Sequence, residues 1–150
     1  MGQIFKKYMQ FISQKSGFIT MLVVAAILGG ITYYLNLIIP KPETFSVLLT
    51  YLWNDPKTYV MTCILNLVTF VIVFIAGVSI VFVSYASYVN DEYELETIGK
   101  IALIVASLFG VAISIFSIAE YFMYFGKLIT IIIALAIAIY IAFWLITNKD

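Results

Sequence analysis

The segment Ile101–Ala119 constrains the fold most, because none of its nineteen residues carries a charged side chain. An α-helix rises about 1.5 Å per residue, so about 20 apolar residues cross the ~30 Å hydrocarbon core of a membrane. The whole chain has 150 residues, of which 64% are hydrophobic and only 11% charged. Soluble domains are about half apolar and a quarter charged. The sequence therefore predicts an integral membrane protein, with residues 1–150 forming one domain in the lipid bilayer.

Prolines, glycines and charged residues divide the apolar sequence into four predicted transmembrane helices. Pro40 ends the first helix, and Asp55 followed by Pro56 is the capping pattern of a helix start. Gly126 can close the third helix in a left-handed conformation, and Lys127 then opens the fourth. That turn would make the third and fourth helices antiparallel neighbours. The predicted fold is an all-α integral membrane bundle of four transmembrane helices, with spans at residues 17–39, 59–85, 101–124 and 127–146.

Two further segments are predicted to be short interfacial helices. Residues 3–14 place Ile4, Tyr8 and Phe11 at helical spacing, which indicates an amphipathic helix on the membrane surface; an ordinary basic flank is the alternative. Residues 43–53 are apolar but too few to span a bilayer, which favours a surface or re-entrant helix.

Small residues recur at every fourth position within the predicted spans. In a membrane, small side chains let two helix backbones approach closely. The stripes on the third and fourth spans are therefore expected to pack against each other. The residues predicted to make helix-packing contacts are Ala25, Gly29 and Gly30 in the first span, Ala102, Ala106, Gly110 and Ser114 in the third, and Ala134, Ala138 and Ala142 in the fourth.

The second span carries polar side chains on one face. Thr62, Asn66 and Thr69 fall within a narrow sector when successive residues are placed 100° apart. Such a face either lines a path for an ion or substrate or makes hydrogen bonds to another helix, which contribute roughly 0.6 kcal/mol each on average in membranes. We favour the interhelical bonds and keep the path as the alternative.

Glu120 is the only acidic residue inside an apolar stretch, and an ionisable group in a span is by default a functional candidate. It lies six residues before Gly126, or about 9 Å from the predicted helix end. Its carboxylate could therefore reach the interface or pair with Lys127 across the predicted hairpin. A proton or ion role and a contact with a partner subunit are the alternatives.

The distribution of lysines predicts the orientation. With four spans, both termini share one side of the cell membrane with most of the lysines, so the positive-inside rule places the termini in the cytoplasm. That side carries Lys6, Lys7, Lys15, Lys100 and Lys149, and the other carries Lys41, Lys57 and Lys127. The acidic run at residues 90–100 is read as a solvated loop or helix extension, with a docking site for a basic partner or a weak cation site as the alternative.

The residue inventory argues against several classes of protein. The chain has no histidine and no arginine, and Cys63 is its only cysteine. An intrachain disulfide is therefore excluded, as is a cysteine-ligated cluster made by this chain alone. No nucleophile lies beside a base, and neither a metal-ligand spacing nor a phosphate loop is present. No basic patch suggests nucleic-acid binding. We expect neither an enzyme nor a cofactor.

Three functions remain open from the sequence. The first is a non-catalytic accessory subunit of a larger membrane complex, for example of respiratory or secretion type, which stabilises its partners by helix packing. The second is a small oligomeric transporter or channel that uses Glu120 and the Asn66 face. The third is a membrane-like structural protein of a virion or pilus. The first predicts other membrane subunits as partners, with a homo-oligomer as second choice.

Overall fold

The computed structural model describes residues 15–90 and 97–147, and this part of the chain is almost entirely helical, without a β-strand. The elements in chain order are α1 (Lys15–Ile38), α2 (Phe45–Asn54), α3 (Pro56–Asn90), α4 (Thr97–Ser117), a π segment (Ile118–Phe122) and α5 (Met123–Thr147). The all-helical prediction is confirmed. The predicted interfacial helix at residues 3–14 and the acids of residues 91–96 lie outside the described residues.

Three helical stretches are long and apolar enough to cross a membrane. They are Ser16–Ile38, Pro56–Val89 and Ile98–Ile141. The first two match predicted spans. The short apolar segment predicted at residues 43–53 is the ten-residue helix α2, which Thr44 caps by accepting a hydrogen bond from the backbone N–H of Val47.

The structure has no turn at Gly126, so the third and fourth predicted spans do not form an antiparallel hairpin in it, and the four crossings stay a prediction. α4, the π segment and α5 follow one another without a break from Thr97 to Thr147, and we call this continuous element the long helix. Gly126 is not in the left-handed conformation that would end a helix. A glycine inside a helix costs only about 1 kcal/mol relative to alanine, which is too little by itself to end a helix.

α3 lies between α1 and α4 and runs antiparallel to both. Gly77 of α3 and Gly110 of α4 bring the two backbones into contact, since a Cβ added at Gly77 would lie 2.7 Å from the Gly110 carbonyl oxygen. Ser114 faces the same contact. The small-residue stripe of α4 is therefore used against α3, and the prediction that it packs against the stripe of α5 is wrong.

Asp55 begins α3 as predicted. Its carboxylate accepts a hydrogen bond from the Thr58 backbone N–H at 3.1 Å. Hydrogen bonds from the side chain and the backbone of Thr58 lower the pKa of the Asp55 carboxyl from its usual value.

Aromatic side chains close one end of the helix assembly. Tyr59, Tyr124 and Phe125 are buried with Leu48 and Cys63 in a cluster that joins α2, α3 and α5. Tyr59 stacks on Tyr124 with ring centroids 6.1 Å apart. This cluster anchors the first two turns of α5. Beyond Ile131, the side chains described up to Ile141 are exposed, so the rest of α5 extends past the other helices.

Substituting Gly77 by alanine tests the α3–α4 contact. The new methyl group would meet backbone, so we expect a loss of about 1 to 3 kcal/mol in the free energy of unfolding. SDS-driven unfolding in mixed detergent micelles, followed by circular dichroism, measures this loss.

Val111→Ala is the control, because it also introduces alanine, at an exposed position on α4. This variant should be neutral, or more stable by up to about 1 kcal/mol, because alanine favours the helix. Equal losses in both variants would contradict the contact.

Candidate functional site

Four buried polar side chains connect α1 to α3. The Thr32 and Thr69 hydroxyls are 2.7 Å apart, and one donates to the other. One turn away, Asn36 and Asn66 each donate from the side-chain amide to the amide oxygen of the other, at 2.9 Å in both directions. All four are at most 7% exposed. We call these two pairs the polar ladder.

The hydrogen bonds of Asn66 leave its amide fully engaged. An amide NH₂ has two hydrogens to donate, and Asn66 donates to Asn36 and to the Thr62 backbone carbonyl at 2.9 Å. The Thr62 hydroxyl donates in turn to the Thr58 carbonyl at 2.8 Å. Of the two interpretations of the Asn66 face, this geometry favours hydrogen bonding between helices over a path for ions.

Sequence reasoning found one side of the polar ladder and missed the other. Thr32 and Asn36 were not identified as partners, although a signal for them was present. They are four residues apart and share the α1 face that carries the buried Ala25 and Gly29. A polar pair in register with the small residues of one span could have been matched to the polar face of the next.

Glu120 lies at the end of the assembly that is closed by the aromatic cluster. Its carboxylate is 3.5 Å from the Lys41 ammonium, which also donates to the Ala119 carbonyl at 3.3 Å. Glu120 therefore pairs with Lys41 and not with Lys127, a pairing that the sequence left open beside a position at the interface. Without the hairpin, Lys127 lies about 10 Å farther along the same helix. The side chain of Glu120 is 22% exposed.

Lys127 and two tyrosines complete the contacts between the long helix and the first connection. The half-buried Lys127 ammonium donates to the backbone carbonyls of Pro42 and Glu43. The Tyr124 hydroxyl donates to the Ile39 carbonyl, and the Tyr121 hydroxyl to the Gly29 carbonyl, both at 2.9 Å. Ile39 directly follows α1, and carbonyls at the end of a helix lack partners within it, so Tyr124 satisfies one of these carbonyls.

The π segment carries both Glu120 and Tyr121. In this turn the Met123 backbone N–H donates to the carbonyl of Ile118, five residues earlier, instead of four. Tyr121 is buried against α1 and Glu120 reaches Lys41. We call the polar contacts of Lys41, Glu120 and Lys127 the charged belt. Charged groups at this level suit a membrane–water interface.

The predicted helix-packing residues occupy different environments. Ala25, Gly29 and Gly110 are buried, Ala106 and Ser114 are half-buried, and Gly30, Ala102, Ala134 and Ala138 are exposed. Ala142 lies in α5. Within the described ranges, no group of three or more histidine, cysteine or acidic residues could hold a metal ion.

A groove runs between α1 and α4 with α3 as its floor. Ala26 and Gly30 form the α1 side, Val73 and Ala76 the floor, and Phe116 lies on the α4 side, around a volume of about 260 Å³. No protein-family model, curated protein or solved structure matched this chain in comparison. Its function must therefore follow from these residues.

A double-mutant cycle on Asn36 and Asn66 tests the polar ladder. Asn36→Leu or Asn66→Leu alone leaves one buried amide without its partner and should cost about 1 to 2 kcal/mol of unfolding free energy. The double variant should cost no more than the worse single variant, because neither amide then lacks a partner. Strictly additive losses in the same micelle assay would contradict the pairing.

Proposed function

We propose that this protein is a non-catalytic subunit of a larger membrane complex and that it stabilises the complex by helix packing. The observation that carries this proposal is the polar ladder. Asn36 and Asn66 bind each other, as do Thr32 and Thr69, so these groups stabilise the contact between α1 and α3. A transport path would need such groups to face an open passage.

An exposed apolar face of α4 supports partners of the same kind. Ile104, Val111 and Ile115 are exposed on the side of α4 that lies away from the groove between α1 and α4. In a membrane, such a face can pack against the helix of another subunit. Other membrane subunits are the partners that we propose, and a second copy of this chain is the next choice.

One observation favours a small oligomeric transporter as the second candidate. Glu120 lies in a π segment, and single π turns inside α-helices are often found at functional sites. Its pairing with Lys41 has the stronger structural explanation, because an ion pair at a membrane interface fixes the long helix to the first connection.

We further propose that the chain crosses the cell membrane four times, with both termini in the cytoplasm. The apolar stretch Ile98–Ile141 has 44 residues. At 1.5 Å per residue it is about 66 Å long, whereas a bilayer with its headgroups is about 40–45 Å thick. A straight helix would therefore carry much of α5 out of the membrane beyond the charged belt. The side on which Thr147 lies relative to Ser16 distinguishes four crossings from three.

The free energies favour a return into lipid. Nine large apolar side chains between Ile132 and Trp144 are 49–69% exposed, and moving them from water to lipid gains on the order of 10 kcal/mol. Opening one helical turn at the interface loses about four backbone hydrogen bonds, at about 1 kcal/mol each. The gain is more than twice the cost, so residues 128–146 are expected to form the fourth crossing.

Extraction in mild detergent tests the subunit role. We expect the chain to migrate on a native gel in a large complex of fixed stoichiometry, with other membrane proteins identified by mass spectrometry. Glu120→Gln should at most weaken that complex, because it removes a single ion pair near the interface. Glu43→Gln, which removes an exposed carboxylate close by, is the matched control.

Two results would contradict the subunit role. A chain that runs alone as a small homo-oligomer in the mildest detergent would overturn it. A loss of ion flux in Glu120→Gln, with assembly and the Glu43→Gln control intact, would favour the transporter.

A further inference from the structure

We propose that, in a bilayer, residues 128–146 pack as the fourth helix into the groove between α1 and α4. This inference rests on the four crossings proposed above. It adds the surface that the fourth helix covers and the register in which it lies.

The groove has the shape and chemistry to hold a transmembrane helix, and we call the proposed position of residues 128–146 in it the seat. Ala26 and Gly30 are small and exposed on one side, and the buried Val73 and Ala76 of α3 form an apolar floor. The Tyr33 and Phe116 rings, 6.4 Å apart, join α1 to α4 near the charged belt. A helix that enters from the belt end would cover the exposed Ala26 and Gly30 and complete a four-helix bundle.

The lengths of the two helices set the register. Gly126, where the chain would turn, lies beside Pro42 and Glu43, so a returning helix starts level with the end of α1. Ala138 is then about 16 Å below that level, and Gly30 is about 14 Å below Ile39. One small residue therefore faces another, which permits close backbone approach. Ala134 and Ala138 are exposed in the extended helix, and both would become helix-packing residues in this arrangement.

The contacts of the long helix indicate where the chain would turn. Tyr121, Tyr124 and Phe125 are buried, and the two tyrosine hydroxyls are bonded to α1. A turn after Phe125 keeps these contacts. Gly126 is next, and a Cβ placed there would meet nothing within 4 Å, so this residue has both the space and the conformational freedom to turn. Of the contacts with the aromatic cluster, the turn would lose those of Leu128 and Ile131.

Disulfide trapping of the full chain in phosphatidylcholine–phosphatidylglycerol vesicles tests the seat. In a Cys63→Ser background, Gly30→Cys is combined with Ala138→Cys and oxidised. We expect a disulfide within one chain, found by mass spectrometry of the monomer band, at a yield at least tenfold above the control pair Val111→Cys with Ala138→Cys. Val111 is exposed on a face of α4 away from the groove.

Labelling of Ser16→Cys and Thr147→Cys with a membrane-impermeant maleimide separates the possible failures. If both sites label from the same side but no disulfide forms, the four crossings stand and the seat is overturned. A disulfide between two chains would show that residues 128–146 of a second copy occupy the groove, and it would also overturn the seat. If the two sites label from opposite sides, the four crossings and the seat both fail, and the native gel still tests the subunit role by itself.

Discussion

The reciprocal hydrogen bonds between Asn36 and Asn66 are the interaction on which the rest of the structure depends. A buried amide without a partner destabilises the fold by about 1 to 2 kcal/mol, so each asparagine requires the other. A reciprocal pair can form in only one register of α1 against α3, and that register also brings the Thr32 and Thr69 hydroxyls to 2.7 Å. The contribution of each bond is small, but the register that the bonds select positions the groove and the end of α1.

From that register, small residues and the charged belt position the long helix. Gly77 and Gly110 let α3 and α4 touch through their backbones. At the belt, Lys41 and Glu120 pair, and the Tyr124 hydroxyl donates to the carbonyl of Ile39, the residue that follows α1. These contacts fix the long helix as far as the second turn of α5. Beyond them the same helix is apolar and exposed, which is why we place its continuation in lipid.

Much of this architecture could be predicted from the sequence, because helix length, capping and the polar face of α3 are local properties. Asp55 caps α3, and Thr62, Asn66 and Thr69 are buried together. What failed was the choice of neighbour. Periodicity identifies the face of α4 that Gly110 occupies, but not the helix that packs against this face. The pairing of Glu120 with Lys41 could not be predicted for the same reason, because it depends on which segment lies next to Glu120. The sequence did not predict that Gly126 lies inside a helix. A glycine disfavours a helix by only about 1 kcal/mol, so its presence alone does not decide whether the helix ends there.

We propose that residues 128–146 lie in the membrane although they extend past the other helices in the structure. Spin labels placed singly along residues 128–146 in a Cys63→Ser background, in lipid vesicles, test it through their accessibility to oxygen and to a water-soluble nickel reagent. We predict that oxygen accessibility is greatest near Ile137 and falls towards Lys127 and Thr147, as expected for a span. Nickel accessibility that rises steadily from Lys127 to Thr147 would place this segment in water and contradict the claim.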